Sequence, residues 1–154
     1  MRVADLLRPD GVRVLSAVGS KRRLFGELAD MAAARWGLDA TGVCDALLER
    51  ESLGPTGVGH GVALPHARLP GLDRVQGLFL RLDRPIDFDA VDRQPVDLVF
   101  GLLAPAASGV EHLKALALIS RTMRDQATCQ KLRANADPGT LHTILTEGAT
   151  SRAA

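Results

Sequence analysis

The residues of this 154-residue chain best suited to chemistry at neutral pH are its four histidines, His60, His66, His112 and His142. An unperturbed imidazole titrates near pH 6.5, so it can act as nucleophile or proton handler there. His66 has the most informative setting. Pro65 fixes the backbone just before it. Upstream lies Gly54-Pro55-Thr56-Gly57-Val58-Gly59-His60-Gly61, with glycines at alternate positions. Such glycines let a backbone approach a ligand and turn its amides toward an anion. A nucleophile at the end of an amide-rich loop suits phosphoryl transfer. That reaction needs in-line positioning and donors for the equatorial oxygens more than it needs acid–base chemistry. Thr56, Gly57, Gly59 and His60 are the candidate phosphate-binding residues of the loop.

Two further residues fit the same chemistry. His112 falls in the first turn of a helix expected to start near Ser108. The positive end of a helix favours an anion and disfavours an imidazolium, so a neutral His112 could donate to a phosphoryl oxygen or orient His66. Arg50 ends a helix just before the glycine loop, where its guanidinium could make a bidentate contact with phosphate. Read singly, each has an ordinary alternative: a surface imidazole, a solvated helix-end cation, a simple turn. His142, beside Leu141 in the last helix, reads as structural.

Other chemistries lack their signatures. The segment Gly57–Val62 breaks the GxGxxG pattern at its last position, and neither GK[ST] nor GxSxG occurs. Zinc ligation by His60, His66 and His112 would lack both HExxH and paired CxxC motifs, so no metal is expected. Cys44 and Cys129 stand alone and read as reduced. The net charge is +1, from 19 basic and 18 acidic side chains, and aromatics make up 3%. That gives neither the basic footprint nor the stacking surface of a nucleic-acid binder. The N-terminus reads as no signal peptide, and no stretch is long and apolar enough to insert in a membrane. A cytoplasmic protein is expected.

The elements that must position these groups follow from periodicity. Val12–Val18 reads as a strand. Phe25, Leu28, Ala29, Ala32 and Trp36 are spaced for a helix stopped by Gly37, and a second helix should span about Thr41 to Arg50. Val62–Leu64 is a short strand or extended arm, Val75–Leu82 a strand, Ile86–Phe88 an edge pairing. Val96–Leu103 is apolar enough to be covered on both faces. Ser108 and Glu111 fit a capping box for the next helix. A short helix from Thr128 to Ala134 follows, then a last helix with Asp137 as N-cap and Pro138 at its first position. The expectation is one domain over residues 1–148 with a sheet covered on both sides, and a flexible tail over 149–154.

The run from Arg50 through Thr56-Gly57 to Pro65-His66-Ala67-Arg68 resembles the signature of one family. It is similar to the fructose/mannitol-type IIA domain of the bacterial sugar phosphotransferase system, including its nitrogen-regulatory branch. The similarity continues through Ile86-Asp87-Phe88, through Pro95–Phe100 into Ala104-Pro105, and through Glu111-His112-Leu113. The resemblance implies a three-layer α/β/α sandwich with a mixed central sheet. It implies that His66 is the phosphoryl acceptor, that His112 is the second active-site histidine, and that Arg50 helps hold the group. It also implies an HPr-like phosphocarrier as donor. Two positions depart from the family: His60 stands where asparagine is common, and Pro55 where a serine often precedes Thr-Gly.

On this reading the chain is a phosphotransferase component that needs no cofactor. Donor contact is expected around His66 through Val58, Val62 and Leu64. Three outcomes follow for the phosphoryl group. The chain is expected to be a nitrogen or metabolic regulator whose phosphorylation state controls a target protein; the alternatives are a transport component donating to a IIB domain and an unphosphorylated binding module.

Overall fold

The computed structural model describes residues 1–153, with side chains through Glu147. The tail expected at 149–154 falls outside the described side chains, and Ala154 outside the described residues altogether. Among the described residues a six-stranded sheet forms the middle layer. Its strands are β1 (Val12–Leu15), β2 (Gly57–Gly59), β3 (Val62–Ala63), β4 (His66–Leu69), β5 (Gln76–Ile86) and β6 (Val96–Pro105). The order is β1-β5-β6-β3-β2, with β4 on the same flank of β6 as β3. β5 and β6 run antiparallel, as do β2 and β3, whereas β1 lies parallel to β5 and both β3 and β4 lie parallel to β6. The sheet is therefore mixed, as expected.

Helices cover both faces. α1 (Val3–Leu6), α4 (Val110–Arg124), α5 (Gln126–Arg133) and α6 (Pro138–Ala153) share one apolar cluster with one face of the sheet. α2 (Lys21–Trp36) and α3 (Ala40–Ser52) share another with the opposite face. The strands divide between them by the two-residue alternation of side chains. Leu98, Phe100, Leu102 and Ala104 of β6 enter the first cluster, Val99 and Leu103 the second. The middle strands are thus buried on both faces, which is why they read as continuous apolar runs.

Helix ends follow their capping residues. Ser20 accepts from the Arg23 amide at 3.1 Å, Asp39 from Gly42 at 3.0 Å and Asp137 from Thr140 at 2.9 Å. Gly37 closes α2 in the left-handed region at φ 67°. The expected capping box of Ser108 and Glu111 does not form. Gly109 is the N-cap of α4 without any side-chain bond, because the Ser108 amide is used in a turn on the Pro105 carbonyl at 2.9 Å. α5 starts at Gln126, two residues before the expected start, because Asp125 caps it through the amide and hydroxyl of Thr128. The edge pairing expected at Ile86–Phe88 is instead the end of β5, whose Ile86 pairs with Val96.

Candidate functional site

His66 opens β4, with its Cα paired to that of Leu102. Ala67 and Leu69 of this strand enter the core beneath α2 and α3. The alternation therefore turns His66 and Arg68 to the other face. The Nδ1 of His66 lies 2.9 Å from the Leu64 carbonyl oxygen. A carbonyl only accepts, so Nδ1 carries the proton and Nε2 keeps its lone pair. The Nε–H of Arg50 donates to that Nε2 at 3.2 Å, and its Nη1 donates to the Gly54 carbonyl at 3.0 Å. Both bonds require the same tautomer. Burial, the leading cause, pushes the pKa of His66 down, and the Arg50 charge adds to this against the opposing effects of the Leu64 carbonyl and Glu51. The ring is neutral, with its proton fixed on Nδ1 and its lone pair on Nε2.

His112 is the third residue of α4, and its ring centroid lies 5.4 Å from that of His66 at a 48° tilt. It is buried, and its Nδ1 has no hydrogen-bond partner among the described residues. Burial first, then the neighbouring His66 and Arg68, lower its pKa to about 4. Both imidazoles are therefore uncharged at neutral pH. They face an open cleft of about 580 Å³ whose lining includes Arg50, Leu53, Arg68 and Leu113. Leu53 and Leu113 are 80% and 62% exposed. They are the apolar surface of the cleft beside His66. Val62 and Leu64, expected there, belong to the core at 1% and 6% exposure. They alternate within β3 and the arm that follows, and the same extended run that raises His66 buries them.

The glycine loop is a hairpin of β2 and β3. His60 and Gly61 turn it at φ 56° and 77°. A Cβ on Gly57 would sit 2.7 Å from that of Ala90, and one on Gly61 would sit 2.5 Å from Nη2 of Arg133. These glycines admit close neighbours within the protein. The His60 amide donates to Asp92 at 3.0 Å, and its carbonyl accepts from Arg133 at 2.7 Å. His60 and Gly59 line a second cleft, with Arg124, Gln130 and Arg133, that contains neither His66 nor His112. Thr56 is buried, and its hydroxyl donates to Glu51 at 2.5 Å. The structure thus brings His66, Arg50 and His112 together and leaves Thr56, Gly57, Gly59 and His60 outside their cleft.

Two residues at the site went unremarked in the sequence. Arg68 was findable, since a strand starting at His66 places the residue two positions on along the same face. Glu51 was not. Its carboxylate ties Lys21 at 2.9 Å to the Thr56 amide at 3.1 Å, a meeting that depends on how the end of α3 folds back. Among the described residues no group of three or more His, Cys, Asp or Glu could hold a metal ion, and no helix is long and apolar enough to cross a membrane.

Known proteins share this arrangement of sequence and fold. A nitrogen regulatory protein of Bradyrhizobium diazoefficiens is 50% identical over 145 residues, covering 94% of this chain and 95% of that protein. The nitrogen regulatory protein IIA-Ntr of Neisseria meningitidis, a crystal structure, superposes with a TM-score of 0.86 at 35% identity, covering 94% and 99% of the two chains. The mannitol IIA enzyme of Escherichia coli, solved in complex with phosphorylated mannitol IIB, shares the fold at a TM-score of 0.75 and 17% identity, over 91% of this chain and 98% of that one. The sequence profile described as "Phosphoenolpyruvate-dependent sugar phosphotransferase system, EIIA 2" matches residues 5–148. With its fold, its paired imidazoles and these relatives in view, the chain belongs to the EIIA 2 family of that phosphotransferase system, alongside the nitrogen regulatory proteins.

Proposed function

We propose that this chain is a phosphohistidine carrier of the nitrogen-regulatory kind, with Nε2 of His66 as the acceptor and an HPr-like protein as donor. The observation that carries the reading is the pair of bonds on His66. The Leu64 carbonyl holds the proton on Nδ1, and Arg50 marks Nε2 as the free nitrogen facing the cleft. In the transfer, the Nε2 lone pair attacks the donor's phosphorus as the donor's N–P bond breaks. The electron pair of that bond returns to the donor ring, which leaves as neutral imidazole if its other nitrogen is protonated. Arg50 then turns its donors from Nε2 to the phosphoryl oxygens, and neutral His112 donates a further bond. No metal is needed, because the donor phosphoramidate is already activated.

The regulatory reading draws on the relatives: the 50% identical protein is named for nitrogen regulation. Phosphorylation adds up to two negative charges to a cleft rimmed by Leu53 and Leu113, enough to switch the binding of a target protein there. The competing reading, donation to a IIB domain in sugar uptake, draws on the mannitol IIA neighbour found with its IIB partner. Adding cognate IIB domains to the labelled protein separates the two. Retained label fits the regulator, rapid onward transfer fits the transporter component, and failure of every HPr-like donor to label the protein fits an unphosphorylated binding module.

A further inference from the structure

We infer that Arg68 is a second phosphoryl-binding guanidinium, closing on the group together with Arg50. This rests on the carrier reading above and adds a residue to which that reading gives no role. Arg68 lies two positions along β4 from His66, so the two side chains rise from the same face about 7 Å apart at their bases. Both line the same cleft, and the Arg68 charge reaches His112 strongly enough to help depress its protonation. Among the described residues Arg68 has no hydrogen-bond or ion-pair partner. The chain's other guanidinium at the cleft, Arg50, is committed to Nε2 and to the Gly54 carbonyl.

The phosphoryl oxygens need donors as well as charge. A phosphoryl group on Nε2 carries up to two negative charges on strong acceptor oxygens. Arg50 reaches Nε2 through one arm of its fork and neutral His112 has one ring N–H to give, so a second guanidinium lining the same cleft supplies further donors. An exposed, unpaired arginine is costly to order for nothing, but it needs only a rotamer change to reach an anion beside its own strand neighbour. It would also meet the transferring group while that is still shared with the donor, because it is exposed and lines the open cleft.

The test is single-turnover transfer of labelled phosphoryl from a phosphorylated HPr-like carrier to the full chain over a range of donor concentrations, comparing wild type, Arg68→Ala and Arg68→Lys. The residue is exposed, so folding should survive, and thermal unfolding confirms it. The expected result is a fall of about tenfold or more in the transfer rate at saturating donor for the alanine variant, with little change in the donor concentration that gives half of it, and partial recovery for lysine. An unchanged saturating rate, or a change confined to the half-saturating concentration, overturns the inference, because Arg68 would then be a bystander or a docking residue. If the wild-type chain takes no label, the carrier reading falls and this inference with it. If wild type is labelled and Arg68→Ala equals it, only this inference falls.

Discussion

Glu51 and Thr56 are joined at both polar groups of the threonine: the Thr56 amide and hydroxyl donate to the one carboxylate at 3.1 and 2.5 Å. The Thr56 carbonyl accepts from the Leu64 amide at 2.9 Å, and the Leu64 carbonyl in turn receives Nδ1 of His66. A relay of four residues thus runs from a buried carboxylate to His66. Thr56→Val leaves one carboxylate oxygen short of a donor and should destabilise the fold by about 1–2 kcal/mol. Glu51→Ala strands Lys21, whose other acid, Asp89, stands at 3.8 Å. It should cost roughly 2–3 kcal/mol. Urea unfolding followed by Trp36 fluorescence reads both. Stability unchanged in either variant would mean that the relay does not hold the site.

Both site histidines resist protonation in the folded chain, and His112 does so down to about 4. The unfolded chain takes up a proton near 6.5 that the folded chain refuses. Their contribution to stability is therefore fully present above pH 6.5. It is lost as the pH falls from there, for His112 down toward about 4, by up to about 1.4 kcal/mol per unit for that histidine. Unfolding measured at pH 7, 6 and 5 should show this slope, and His112→Asn should flatten it. Phosphoryl uptake should stay level between pH 8 and 6.5. A steep loss across that range would place the His66 titration at its ordinary value.

The glycine hairpin gives a sharper contrast. Gly57→Ala drives a Cβ into Ala90, and Gly61→Ala drives one into Arg133 at a left-handed φ. Each should lower stability by roughly 1–3 kcal/mol. His60→Ala should matter little to labelling, since the imidazole faces the other cleft. Label incorporated per folded molecule should stay near wild type in all three. A stable variant that no longer takes label would restore the hairpin to the phosphate site.

These contrasts show what the sequence made legible. The mixed sheet, the helices on both faces and the triad of His66, Arg50 and His112 could be foreseen, because periodicity and a specific run of residues report them. The glycines were legible as glycines but not in their purpose. A close approach to Ala90 or Arg133 looks in sequence like a close approach to an anion. Thr56 was legible as a hydroxyl but not as one already engaged, because Glu51 reaches it only through the fold-back at the end of α3. Val62 and Leu64 look in sequence like contacts beside His66, because a short apolar alternation does not report which face is covered, whereas in the fold β3 lies within the sheet and both side chains are core. The capping box failed by one residue, when the Ser108 amide went to a turn instead.

The most direct measurement locates the phosphoryl group. The chain is phosphorylated by a labelled HPr-like carrier and examined by phosphorus and nitrogen NMR, with His66→Ala and His112→Ala alongside. A single phosphohistidine is expected, linked through Nε2 of His66, absent from His66→Ala and still formed, more slowly, in His112→Ala. Label on His66→Ala, or a linkage through Nδ1, would contradict it.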